Sequence, residues 1–469
     1  MKKELQSPKG TEALCKNLAE TRFEDLSEEN LDLFKDRLLD MTGCIFGGTL
    51  VEEDRFLLER FLDWGGKAEA PLLARSGKLP LPVASMLNCI TARANDYGNM
   101  FTHVRGDHIA SHCGETLIPM GLTLASVFPV SGKEFTANNV ASEDLIARLL
   151  YTLPDRWPVD MLLVATAAAA LASRYYGLDA EQTRTALGYG AANASDPANA
   201  YFDYSQEYKF HNGAAAFMGV MAAEAAKGGW RGYADPFYGH WGLICMQLPT
   251  KDGSVMPALY EDAFEDLGQT YYTEGSFKRG PGGLPTSAAA ACGLELHRQI
   301  VEHYDALDPA QIKAVRVERS RSVPLNYYSE PFVLRNHTNA LFSFQFAACC
   351  ALLKGSRSVA DVQTRAILET PYLVELTEAS EMGVYDSPDG AKTMRLTVEM
   401  RDGRVFQTEK PYAASMHARL TKEELHAKFW EQFNAFGLLP RATGEEIIRL
   451  AARLEEIADM REYTALLCL

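Results

Sequence analysis

No CxxC pair occurs among the nine cysteines, at positions 15, 44, 89, 113, 245, 292, 349, 350 and 468. That spacing speaks against a zinc site and against a disulfide framework. Cysteines set among Ala, Leu and Phe behave instead as small hydrophobes. Long apolar runs are missing too. The most apolar stretch, Met161 to Ala172, is about a dozen residues against the roughly 20 that cross a bilayer, so it reads as a buried helix. Behind Lys2 and Lys3 no apolar stretch follows, so the N-terminus does not read as a signal peptide and the expected location is the cytoplasm. Positive charge is in deficit: 62 Asp and Glu face 46 Lys and Arg, a formal charge of −16 with no long block of one sign. Such a surface repels phosphate backbones and anionic lipid, which removes nucleic acid and membrane from the expected partners. It also repels small anions, so an anionic substrate would require a local pocket of Lys, Arg and His. No internal repeat is visible.

What is present is an ordinary globular composition, 47% hydrophobic and 23% charged, over 469 residues, enough for more than one core. The first part reads as helices throughout. Ser27-Glu28-Glu29 resembles an N-cap with acidic first-turn residues, Leu31, Phe34, Leu38 and Leu39 follow at helical spacing, and the pattern stops at Gly47-Gly48. Further helical patterns run from Asp54 to Trp64, Pro82 to Asn95, Leu117 to Val127, Ser142 to Tyr151, Pro158 to Tyr176, Ala180 to Asn193 and Gly213 to Ala226. The Ala-rich stretches Ala165 to Ala172 and Ala214 to Ala226 suit close helix packing at the centre of a bundle. No strand alternation appears before about residue 265.

After Thr270 the pattern changes. Gly280-Pro281-Gly282-Gly283 opens a loop, Thr286 to Val301 reads as a helix, and Ile312 to Glu318 alternates strictly between apolar and charged, as a half-buried strand does. A helix over Asn339 to Lys354 precedes a hairpin, Met394 to Met400 and Arg404 to Thr408 around Asp402-Gly403. The tail returns to helices at Thr421 to Phe436 and Gly444 to Met460. The expected architecture is therefore mainly α with a smaller α+β domain: a discontinuous helical body, residues 1–268 and 411–469, with an α+β lid domain, 269–410, inserted between its segments.

Residues able to do chemistry gather at four places. In the first, Asn88 to His103, an Arg (Arg93) and an Asp (Asp96) end a helix, and a loop with His103, Arg105, His108 and His112 follows. Loops at one end of a bundle can both hold and expose reactive groups. The others are Tyr208-Lys209-Phe210-His211 before an Ala-rich helix, Phe277-Lys278-Arg279 at the domain change, and Tyr327 to Phe332 leading to Arg335 and His337. Cations at a helix N-terminus are unexpected unless an anion sits between them.

These stretches resemble the MmgE/PrpD family, which includes 2-methylcitrate dehydratase, cis-aconitate decarboxylase and iminodisuccinate epimerase. Leu38-Leu-Asp-Met-Thr-Gly43 is similar to that family's first core helix, and Asn88 to Met100 resembles its Asn-Gly-Ala-Ala-Ala-His-Ala-Leu-Asp-Phe-Asp-Asp-Thr stretch, with Asp96 on the first Asp. His112 to Ala125, Tyr175 to Ala180, Ala186-Leu-Gly, Lys209 to Gly213, Phe277-Lys278 and Ala340 to Gly355 continue the series in order. Departures are Gly98, Asn99 and Met100 in place of an Asp pair and Thr, Pro158 in place of a His, and Lys209 one position nearer His211.

The resemblance implies a metal-independent lyase without cofactor, most of all a 2-methylcitrate-dehydratase-like hydro-lyase on a small polycarboxylic acid, working as a homodimer. Decarboxylation and epimerisation are the alternatives on the same scaffold. It implies His112 as general acid or base with Asp96 as its partner, Lys209 and Lys278 as carboxylate clamps, Tyr327 as a donor to substrate, and Arg93, His108, His211, Arg279 and Arg335 as binding residues. A non-catalytic binding or scaffold protein would instead leave Asp96, His112, Lys209 and Lys278 scattered.

Overall fold

The computed structural model describes residues 9–154, 162–194, 203–251, 254–323, 333–412 and 419–469. Helices dominate up to the domain change: α1 (Lys9–Glu20), α2 (Glu28–Gly48), α3 (Arg55–Trp64), α4 (Leu81–Arg93), α5 (Gly114–Val127), α6 (Gly132–Tyr151), α7 (Val164–Tyr175), α8 (Ala180–Ala192) and α9 (Glu207–Lys227). Their starts follow local chemistry. The Ser27 hydroxyl accepts from the Asn30 amide at 3.1 Å, and Ser131 and Asp179 cap α6 and α8 in the same way. Small residues set the helix spacing. A Cβ on Gly48 would stand 1.8 Å from the Thr91 carbonyl oxygen, so α2 and α4 meet backbone to backbone, and one on Gly219 would stand 2.5 Å from Ala168, which brings α9 equally close to α7. Among the described residues no helix is long and apolar enough to cross a membrane.

Next come α10 (Ser287–Tyr304), α11 (His337–Leu341), α12 (Phe344–Lys354), α13 (Thr364–Leu368) and α14 (Pro371–Ala379), then α15 (Lys422–Phe436), α16 (Arg441–Ala452) and α17 (Arg461–Ala465). Strands β6 (Ile312–Ser320), β7 (Glu381–Tyr385), β8 (Thr393–Met400) and β9 (Val405–Pro411) form a sheet of order β7-β6-β8-β9, with β6 parallel to β7 and antiparallel to β8. Val315, Val317, Leu396 and Val398 put their alternate side chains into an apolar cluster shared with α10 and α12. A larger cluster unites the α2–α9 bundle with Leu425, Phe429 and Phe433 of α15, whose rings close around Phe46. Each such buried ring contributes about 1.5–3 kcal/mol, so the chain returns to the helical body after the sheet. The fold is thus mainly α with a smaller α+β domain.

The early strands correct the expectation of none before residue 265. β1 (Ala70–Pro71) pairs with β2 (Lys78–Leu79), and β3 (Met100–Val104) forms a hairpin with β4 (Asp107–Ile109) while its other edge takes β5 (Glu274–Ser276). Strands this short show no period of two. The hairpin turns at Arg105 and Gly106, with φ of 51° and 91°, the left-handed pair that a tight two-residue turn needs. Helix α6 begins ten residues before the expected Ser142, with the polar Thr136, Asn138 and Asn139 of its early turns buried against neighbours, and α9 begins at Glu207, so Lys209 and His211 lie inside it. The helix expected over Asn339 to Lys354 is broken in two, with Ser343 recapping the second half by accepting from the Phe346 amide at 3.0 Å.

Candidate active site

The turn after α4 is where the charged residues meet. Asp96 has φ +45°, a left-handed conformation that only a short polar side chain takes at low cost. Side chains hold it there from two directions. Arg93, one turn back on α4, pairs with its carboxylate, and Lys278 donates to Asp96 Oδ1 at 2.5 Å and to its carbonyl at 2.9 Å. The amide of Gly282 donates to the carbonyls of Asn95, at 2.9 Å, and Asp96, at 3.2 Å. Behind the turn, Lys428 of α15 donates to the Tyr97 carbonyl at 2.7 Å and pairs with buried Asp40 at 2.6 Å.

The first turn of α5 supplies the second half. Glu115 is fully buried, and its Oε2 lies 2.8 Å from His112 Nδ1 and 2.6 Å from Arg93 Nη1, while Oε1 accepts from the Gly98 amide at 3.1 Å. Burial alone would push this carboxyl up, but Arg93, the His112 contact and Lys278 together hold it well below the usual carboxylate range. A carboxylate only accepts, so His112 Nδ1 carries the hydrogen and Nε2 of the neutral ring carries the lone pair. Gly98 is part of the same design: a Cβ there would stand 2.5 Å from Glu115 Cγ.

Ligand atoms of Asp96, His112 and Glu115 lie within 4.8 Å of one another, close enough to surround a cation. The carboxylate oxygens that would bind it already accept from Arg93 and Lys278, so two positive side chains occupy that role. The donor set suits an anionic ligand better than a metal.

Residues 12–254 match the family model of the MmgE/PrpD N-terminal domain, and residues 281–456 that of the MmgE/PrpD C-terminal domain. The chain belongs to the MmgE/PrpD family. A relative, cis-aconitate decarboxylase of Mus musculus, is 26% identical over 462 residues, covering 92% of this chain and 88% of its own. The family thus includes a lyase.

Against the MmgE/PrpD stretches, Arg93, Asp96, His112 and Lys278 come together in one hydrogen-bonded cluster, which a scattered arrangement would not give. The residue expected to partner His112 was Asp96, whereas the group on its Nδ1 is Glu115. Lys209 pairs with Asp54 at 2.6 Å, so a carboxylate of the chain is the anion at the N-terminal turn of α9. Its neighbour Tyr208 lies under the Arg93 guanidinium at 5.5 Å and donates to the Ala94 carbonyl at 2.6 Å, so the two groups adjoin. His337 of α11 reaches the same Ala94 carbonyl with Nε2 at 2.9 Å, and its Nδ1 lies 2.9 Å from the Val362 carbonyl. Burial, then Lys209, push its imidazole down.

The other expected binding residues are less buried than this cluster. His108 is exposed on β4 across from His103, and Arg279 is exposed and paired with Glu424. Arg335 is exposed before α11, where its amide donates to Asn339, and His211 is half-buried on α9. Tyr327 and Pro158 lie outside the described residues. Glu115 escaped the sequence reading. Its signal was a single acid in the otherwise uncharged Gly114 to Leu124 run, together with Gly98 where the family stretch has an acid.

Proposed function

We propose that the chain is a lyase acting on a small polycarboxylic acid, moving a proton at a carbon next to a carboxylate. The carrying observation is the Glu115-held His112 beside Arg93 and Lys278: a positioned proton carrier next to two buried cations, in a protein whose surface is otherwise acidic. Lys278 gives two of its three N–H groups to Asp96, which leaves one for a substrate carboxylate. Negative charge that develops on that carboxylate is then met by a fixed ammonium in a dry site, where such stabilisation is strongest.

Decarboxylation of an unsaturated tricarboxylic acid is the first reading. Carbon dioxide leaves, the electron pair of the broken C–C bond passes into the remaining conjugated carboxylate, and His112, first protonated on Nε2 from water, delivers that proton to carbon. One proton carrier suffices, and a small apolar cluster of Met100, Phe101, Ala110 and Leu284 borders the turns of Asp96, His112 and Gly282, which favours loss of a charged carboxylate. The activity named for the mouse relative supports the same choice. Dehydration of a 2-methylcitrate-like acid, the expectation from the resemblance, needs a second group to protonate the departing hydroxyl and is the second reading. The α+β domain acts as a lid in either case, and the protein works as a cytoplasmic homodimer, which sedimentation would check.

The test is a proton NMR assay in deuterated buffer with cis-aconitate, citrate, 2-methylcitrate and iminodisuccinate, beside His112→Ala. Deuterium entering a product that has lost carbon dioxide supports the first reading, and an alkene formed from a hydroxy acid supports the second. Turnover equal in wild type and variant removes His112 from the chemistry, and binding of none of the acids supports a non-catalytic protein.

A further inference from the structure

Behind the turn that carries His112 lies a second charged group which the proposed reaction does not touch. Arg37 of α2, Glu143 of α6 and Glu274 of β5 are 1%, 2% and 0% exposed. Arg37 Nη1 lies 2.6 Å from Glu143 Oε2, but its Nη2 lies 3.7 Å from Glu274 Oε2. Glu143 Oε1 accepts from the backbone amide of Glu274 at 2.7 Å. Glu274 in turn grips the His112 turn: Oε1 lies 2.7 Å from the Ser111 hydroxyl, the Gly114 amide is 3.3 Å and 3.2 Å from its two oxygens, and Oε2 meets the Asn99 amide group.

Charge counting decides the state of this group. Two carboxylates against one guanidinium leave a net negative charge with no access to water, which is unfavourable unless one carboxyl keeps its proton. Glu143 holds the guanidinium directly, so the proton belongs on Glu274. The protonated acid has places to donate. Ser111 can accept through its hydroxyl, and Asn99 Oδ1, buried without a hydrogen-bond partner, becomes the acceptor when the amide is turned over. Burial first, then Glu143, push the Glu274 carboxyl up to about 8, against Arg37, Ser111 and Gly114. The charged groups facing it are Arg37 from α2 and Glu143 from α6. The nearby charge of Glu115 on α5 is met by Arg93.

We infer that Glu274 is held protonated at neutral pH and is a positioning residue that keeps the Ser111–Gly114 turn, and with it His112, in place only while it keeps that proton. Its loss sets a carboxylate against Glu143 and pulls on both ends of the turn. The site then has an alkaline limb set by a group that never meets the substrate. The link to turnover rests on the His112 reading, and the link to protonation does not.

The test compares wild type with Glu274→Gln, the isostere of the protonated acid, and with Glu143→Gln. A folded-state carboxyl raised above its ordinary 4.5 adds stability in acid that is lost as pH rises through the window up to about 8. The melting temperature of wild type relative to that of Glu274→Gln should therefore fall across that window. In Glu143→Gln the fall should move to lower pH, because Arg37 is then left to Glu274 alone. The His112 ring resonance, assigned by its loss in His112→Ala, should show an alkaline step in wild type that Glu274→Gln removes. Where an acid is turned over, the rate should drop about tenfold per pH unit above the limb in wild type but not in Glu274→Gln. A Glu274→Gln protein that keeps the wild-type pH slope, or that fails to fold at neutral pH, overturns the proposal. A missing His112 step with the slope behaving as expected overturns the positioning role alone. Absence of turnover with every acid counts against the lyase reading and leaves the melting and resonance tests standing.

Discussion

Glu115 Oε2 stands 2.8 Å from His112 Nδ1 on the first turn of α5, and this contact decides which nitrogen of the ring can take a proton. The carboxylate is itself fixed by Arg93, so orientation and charge are set by one buried side chain.

Replacing that carboxylate by an amide should therefore separate chemistry from binding. In Glu115→Gln the side chain keeps its shape but no longer stabilises a positive imidazole, so kcat should fall by about 100-fold or more, with KM changed far less, on whichever acid is turned over. Wild-type kcat in this variant would remove the His112–Glu115 contact from the mechanism.

The same carboxylate sets part of the acid stability. Its folded-state pKa lies below the ordinary 4.5, so its stabilisation is complete above that pH and is lost as the pH falls further. His337 acts in the same sense at higher pH, since its folded-state pKa is depressed from 6.5 and protonation costs stability as the pH drops through that value. In a Glu274→Gln background, where the opposite trend of that carboxyl is absent, urea midpoints should fall in two stages on acidification. Glu115→Gln should lack the lower stage and His337→Gln the upper one. A single stage shared by both variants would show that other groups govern acid unfolding.

Much of this fold could be read from the sequence because long helices announce themselves: Ser27 to Gly48 was visible as a capped amphipathic run, and Ile312 to Glu318 as an alternating strand. The site was legible only where a residue stood in a recognisable stretch, as Asp96, His112 and Lys278 do. Arg93 and Glu115 pair across two helices 22 positions apart in the numbering, and nothing in spacing alone joins them. Lys209 looked like an anion binder because its partner Asp54, far back in the chain, is brought to it only by packing. The β3–β4 hairpin reads as loop in the sequence because its strands are too short for a periodic signal.

Lys428 and Asp40 test how the C-terminal helix supports the site. Both are buried, and Lys428 also holds the carbonyl next to Asp96, so Lys428→Met leaves a buried carboxylate without its cation and should cost about 3–5 kcal/mol. Adding Asp40→Leu should recover much of that stability, because the uncompensated charge is gone, but not the activity, because the Tyr97 carbonyl stays unheld. Chemical denaturation and turnover of the two single variants and the double variant give the cycle. Recovery of both would reduce the pair to a structural one.

Lys278 should show the steepest loss. In the proposed reaction its third N–H meets the substrate carboxylate, and its bonds to Asp96 brace a backbone turn that is otherwise costly, with Asp96 at φ +45°. Lys278→Met removes a charge opposite the developing negative charge, so kcat/KM should fall by about 100- to 1,000-fold, the range for loss of one such stabilising donor. Lys278→Arg should not restore it. A planar guanidinium cannot direct one donor to the Asp96 carboxylate, another to its carbonyl and a third to the ligand from a single atom as an ammonium does. Steady-state rates and substrate binding measured together decide between the two roles of this lysine. A variant that binds normally but turns over slowly places Lys278 on the transition state, and one that fails to bind places it on the ground-state carboxylate.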